Sequence, residues 1–285
     1  MSALAHALRG GGWARGPREA GARAWFPALL ALAAGTALTF LILPVIAIFV
    51  DSSPGQLLSS LREPGALEAL WLSLRTTGIA LALILAVGTP AAYFLATRRF
   101  RGRAVVITLV ELPLVLPPAV AGIGLLAALG PAGILAPLGV STSLSTVAVV
   151  IALTFVASPF YVRQAQASFG AVDATLVDAA RTLGASEAEA FARVMIPAAM
   201  PGLVAGTALA LGRALGEFGA TLMFAGSFIG VTQTVPLAIY DRFATNFQAA
   251  LALSAVLVAV SAAILLAVKF VRGAEALGGV GGPQA

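Results

Sequence analysis

Apolar residues in this chain run in long blocks, and short segments between the blocks hold most of the charge. The first block spans Trp25 to Val50. Others centre on Thr76 to Ala96, Val105 to Leu129, Leu144 to Phe160, Gly202 to Phe224 and Ala249 to Val271. Each reaches the ~17 residues from which a helix can cross the hydrocarbon of a bilayer. Backbone groups in lipid must be satisfied internally, and the strict alternation of a barrel strand is absent. The pattern therefore predicts an all-α membrane protein of about six transmembrane helices.

Composition agrees. Of 285 residues, 60% are hydrophobic and 10% charged, with a mean hydropathy of +0.99, which excludes a soluble domain. The chain has no cysteine, hence no disulfide framework, thiolate site or cysteine nucleophile. Its one histidine, His6, lies in the N-terminal tail, so no metal and no cofactor are expected on this chain. The net charge of +5 reads as arginine held on the cytoplasmic side of a membrane, with no nucleic-acid partner.

Placing the N-terminus inside puts 13 of the 17 basic residues on inner segments, leaving Arg62, Arg75 and Arg242 outside and Arg213 within a span. Both termini are then cytoplasmic, in a multi-pass protein of the bacterial inner membrane. Arg9, Arg15, Arg18 and Arg23 precede the first block much as charges precede a signal peptide. The block outruns the ~7–15 apolar residues of a signal-peptide core, so it reads as a retained anchor. The expected organisation is a basic cytoplasmic tail over 1–24, a transmembrane domain over 25–272 with a cytoplasmic loop at 162–200, and a flexible tail over 273–285.

The longest polar segment runs from Tyr161 to Met200. Leu176, Ala179, Ala180 and Leu183 fall at helical spacing, and Gly184 is placed to end that helix. Ser186 and Glu189 form a capping-box pattern that opens another, while Pro197 and Pro201 punctuate the approach to the fifth span. Two short helices joined at a glycine are expected at the cytoplasmic face.

Asp178, Ala179, Ala180, Gly184, Ile196 and Pro197 resemble the signature loop of ABC-importer permeases, with Asp178 in place of the commoner glutamate. The resemblance implies the type I permease fold and a coupling helix that docks in a groove on an ATPase subunit. An amphipathic helix lying at the membrane interface would account for the periodicity but not for the joint spacing of all six positions. No G-x-x-x-x-G-K-[ST] run occurs, and the only lysine is Lys269, so ATP and magnesium would belong to a separate chain.

The runs Leu215 to Phe224 and Thr232 to Tyr240, with the segment around Pro113, Pro117 and Pro118, resemble molybdate and tungstate permeases. Sulfate permeases share the first half of the Leu215 run. Thr232 to Tyr240 should form an outer loop or re-entrant element. The resemblance implies an oxyanion cargo, molybdate or tungstate, with sulfate or thiosulfate as the alternative. It also implies a second copy of the chain, two ATPase subunits and an extracytoplasmic substrate-binding protein as partners, in contact with membrane lipids. An ion-coupled secondary transporter would want several intramembrane carboxylates, whereas only Glu111 and Glu217 qualify. A membrane-embedded enzyme would need a catalytic constellation, and none stands out.

Arg213 and Glu217 lie four apart and share a helix face, either as a structural pair or beside a translocation pathway. Glu111 could titrate, pair with an arginine or reach the inner interface by snorkelling, and pairing is the expectation. The three prolines should break the third span, either as a packing kink or to turn half-helix N-termini toward a passing dianion. Thr76, Thr77, Thr89, Thr154, Ser158, Thr207 and Thr221 offer hydroxyls either to an oxyanion or to neighbouring helices.

Overall fold

The computed structural model describes residues 18–51 and 54–278; His6, Arg9, Arg15 and the tail segments 1–17 and 279–285 lie outside the described residues. Contacts divide the chain at Asp51 into two units. The first is one helix, α1 (Arg18–Val50), which starts before the expected edge of the anchor. From Trp25 onward its apolar side chains are exposed within the unit, as suits a helix that lipid or another chain must cover.

The second unit holds α2 (Pro54–Arg62), α3 (Ala66–Thr97), α4 (Arg103–Val115), α5 (Pro118–Leu129) and α6 (Thr146–Gly170). These are followed by α7 (Ala174–Thr182), α8 (Glu187–Ala190), a π-turn at Phe191–Met195 and α9 (Ile196–Leu215). Then come α10 (Gly219–Ala225), α11 (Val235–Thr245) and α12 (Phe247–Gly278). No strand occurs among the described residues.

The core is α6, flanked by α3 and α9, and small residues set these contacts. A Cβ on Gly88 of α3 would lie 3.0 Å from the Tyr161 ring, and one on Gly206 of α9 would lie 3.2 Å from the same ring. Tyr161 fills the space the two glycines leave and bonds Thr89 at 2.6 Å. Gly88 faces Tyr161 and Tyr93 faces Phe169, so α3 and α6 run parallel. Gly202 meets Ser168 and Gly206 meets Gln164, so α9 runs back antiparallel to α6.

Parallel α3 and α6 require the chain between Thr97 and Thr146 to cross from one end to the other. That crossing is the apolar block Val105–Leu129, broken within its proline-rich segment. It is α4 and α5, bent by 116° at Leu116 and Pro117. Pro118 begins α5, where its missing N–H would have no helical partner, whereas Pro113 is carried inside α4. Among the described residues five helices are long and apolar enough to cross a membrane, or six spans with the bent pair taken as one.

The fifth block is also divided: α9 stops at Leu215 and α10 starts at Gly219. Thr232–Gln233–Thr234 is a buried loop leading into α11, and the Val235 N–H donates to Ser73 Oγ at 2.8 Å, so this element sits beside the N-terminal end of α3. Arg242 pairs with Glu63 at 3.0 Å on the same side.

Candidate functional site

At the opposite end from α11, the loop 171–195 projects beyond the helices. Asp173 caps α7 by accepting the Thr175 N–H at 2.9 Å, which holds its carboxyl below the ordinary carboxylate range. Gly184, at φ +90°, turns the chain after α7, and its N–H returns to the Arg181 carbonyl at 2.9 Å. Ser186 and Glu189 make both bonds of the capping box that opens α8, at 3.3 and 3.0 Å.

One face of α7 is anchored and the other is free. Val177 is buried against the main core and Ala180 is half-buried beside it. Leu176 and Ala179, with Leu183 just after the helix, form a stripe that adjoins Ala180 on the side away from Val177 and is exposed, with Leu183 at 89%. Arg181 braces the unit: it bonds Asp178 at 3.1 Å and both oxygens of Glu187 at 2.8 and 3.1 Å. Arg98, from the α3–α4 connection, approaches Glu187 at 3.5 Å. Ile196 packs half-buried on the core and Pro197 opens α9. The six residues of the resemblance thus fall on α7, on the turn that follows it and on the first turn of α9, and Asp178 is engaged with Arg181. A cavity of about 400 Å³ lies beneath, between α7 and the ends of α3 and α6.

The membrane charges divide into two sites. Glu111 pairs with Arg163 of α6 at 2.7 Å, half-exposed. Glu217 is buried, with Arg213 Nη2 2.5 Å from Oε2. That approach lies off the line of a hydrogen bond, so it is an ion pair without a directional bond. Glu217 Oε1 accepts the Ala220 N–H at 2.7 Å. Most of the candidate hydroxyls turn back on their own helices: Thr76 to Leu72, Thr154 to Val150 and Thr207 to Leu203. Among these only Thr89 also bonds another helix, through Tyr161. Thr221 is fully buried and its hydroxyl has no partner.

The two broken crossings meet. A Cβ on Gly122 of α5 would lie 2.6 Å from the Ala220 carbonyl, and one on Gly219 of α10 would lie 3.0 Å from Pro118. The half-helices α5 and α10 therefore begin side by side and run parallel. The apolar pattern missed the α9–α10 break, the Arg181 brace and the Asp173 cap. Signals for them were present in Gly212, Gly216 and Gly219 around Glu217, and in the acidic residues flanking Arg181.

Residues 88–274 match the family described as the inner membrane component of binding-protein-dependent transport systems. The chain is 41% identical to the molybdenum transport system permease protein ModB of Mycobacterium tuberculosis, over 85% of this chain and 93% of that protein. It is 38% identical to a probable molybdenum ABC transporter permease protein of Haloferax volcanii, over 84% of this chain and 88% of that protein. A bacterial ABC transporter involved in the import of the acidic polysaccharide alginate superposes with a TM-score of 0.70 at 18% identity, covering 87% of this chain and 95% of that one. At that identity the likeness is one of fold. The chain accordingly belongs to the family of inner membrane components of binding-protein-dependent transport systems and has the fold of ABC-transporter permeases.

Proposed function

We propose that this chain is the permease subunit of an ATP-driven importer that carries molybdate or tungstate across the cytoplasmic membrane by alternating access. The observation that carries the ATP-driven part is α7: a helix anchored on one face by Val177, braced through Arg181, and left with Leu176, Ala179 and Leu183 uncovered. A rigid helix with a free apolar face is what helix-in-groove docking requires. The π-turn joins α8 to α9 without a loop, so displacement of the docked helices passes into a membrane helix.

Two copies form the pathway, two partner ATPase subunits hold the ATP and its magnesium, and a substrate-binding protein delivers the anion to the end that carries α11. An even number of crossings then keeps both termini in the cytoplasm. Identity with molybdenum permeases supports the cargo. Uptake of labelled molybdate into vesicles holding the permease, its ATPase and its binding protein tests it. ATP-dependent uptake blocked by tungstate and not by sulfate supports this reading. Blockade by sulfate moves the cargo to sulfate or thiosulfate.

A further inference from the structure

Gly216, Glu217 and Phe218 interrupt the fifth crossing, and what lies on the two sides of this gap differs. On one side, α10 is locked to α5. A Cβ at Gly122 would lie 2.6 Å from the Ala220 carbonyl and one at Gly219 would lie 3.0 Å from Pro118 and 3.2 Å from the Ala119 nitrogen, so the two half-helices pack backbone to backbone. On the other side, α9 continues from the π-turn and the loop helices and packs along α6. The gap itself is not jammed. A Cβ on Gly216 would have only the Gly212 carbonyl near, at 3.5 Å, and an open apolar groove of about 360 Å³ borders it, lined by Phe218, Pro236, Ile239, Tyr240 and Phe243.

One side chain spans this joint. Glu217 takes the Ala220 N–H, in the first turn of α10, on Oε1 and presents Oε2 to Arg213, in the last turn of α9. Its side chain is 0% exposed. Apolar residues of similar volume often replace a buried ion pair without loss of stability, so stability alone gives little reason for a carboxylate here. A carboxylate can, however, accept a backbone donor from one helix while attracting a cation on the other. Neither an apolar residue nor an arginine can do both.

We infer that Glu217 is the positioning residue of a joint: by tying α9 to α10 it fixes the angle at Gly216, so that movement of the loop helices reaches the α5–α10 pair instead of being lost as bending. This rests on the ATP-driven reading above. The pair, with its two half-helix starts, is then the part of the pathway that each cycle displaces.

The test uses the assembled transporter and labelled molybdate, and measures anion taken up per ATP hydrolysed. Glu217→Gln keeps an acceptor for Ala220 and retains most of the coupling. Glu217→Leu removes it, and the anion-to-ATP ratio falls by about tenfold or more while hydrolysis continues. The exchange Arg213→Glu with Glu217→Arg restores neutrality but not the acceptor, and it fails as Glu217→Leu does. Wild-type coupling in the exchange variant would overturn the inference in favour of plain charge neutralisation. An unchanged ratio per folded Glu217→Leu transporter would reduce Glu217 to a structural residue.

A second readout does not depend on transport. The chain has no cysteine, so spin labels on cysteines placed at Leu209 of α9 and Ile123 of α5, both exposed, report the joint alone. Without nucleotide, the wild-type distance distribution is narrow and that of Glu217→Leu is broad. Equal widths would overturn the joint. A wild type that shows this difference yet takes up no molybdate would overturn the functional reading and leave the joint standing.

Discussion

Valine at position 184 would put a β-branched side chain on backbone with φ +90°, a region that L-residues avoid. No atom lies within 4 Å of the added Cβ, so the effect comes from the backbone and not from a clash. Left-handed backbone costs a residue with a side chain about 1–2 kcal/mol. That is about a 5- to 30-fold loss of preference for the turn that closes α7 against α8. Asparagine tolerates this region better than most residues, so affinity for the ATPase subunit and coupled uptake should fall in the order Gly, Asn, Ala, Val. Thermal unfolding of the purified permease should change little, because position 184 touches nothing in the membrane domain. Full affinity and uptake in Gly184→Val would refute the requirement for this turn. Equal impairment by Asn and Val would show that bulk at the docking surface matters and not backbone geometry.

Leu183 is 89% exposed, and burying a leucine stabilises by about 1.5–3 kcal/mol, so Leu183→Ala should weaken binding of the ATPase subunit by ~10-fold or more and leave permease stability unchanged. Equal binding of both proteins in a titration would contradict this. Gly122→Val places a side chain against the Ala220 backbone and should lower the unfolding temperature in detergent, overpacking typically costing about 1–3 kcal/mol. Asp173 has a depressed carboxyl pKa, so its cap is intact above the ordinary value of 3.8 and is lost only as pH falls further, through the depressed folded value. Protection of the Thr175 amide, taken relative to its intrinsic exchange rate at each pH, should fall in that acid range in the wild type and stay constant in Asp173→Asn.

Helices that face lipid or the core on every side were readable as apolar blocks, because their entire length is selected for burial. α3, α6 and α12 cover the blocks that predict them, although α3 begins at Ala66, ten residues before the block centred on Thr76 to Ala96, α6 continues to Gly170 through the start of the expected loop, and α12 runs to Gly278; α9 covers only the first part of the fifth block. Breaks were less legible, since hydropathy does not report direction. The prolines announced the bend at Leu116, but its 116° angle depends on α5 packing against α10. Nothing as loud as proline marks the gap at Gly216, and α2, short and only partly apolar, went unread.

In the loop, the glycine turn and the capping box were local chemistry and were readable from spacing. The partners of charged groups were not. Glu111 finds Arg163 across a helix contact, and Arg181 reaches Glu187 across the turn at Gly184. The hydroxyls show the same limit in reverse: Thr154 and Thr207 satisfy themselves on the preceding turn and need no neighbour.

A photoreactive group on a cysteine placed at Ala179, the only cysteine the chain would then carry, tests most directly whether α7 is where the ATPase docks. In the assembled transporter, illumination should join the permease to the ATPase subunit, and Leu183→Asp in the same chain should abolish the adduct together with ATP-dependent uptake. A transporter that takes up molybdate normally while position 179 reacts only with lipid or solvent would contradict docking through this helix.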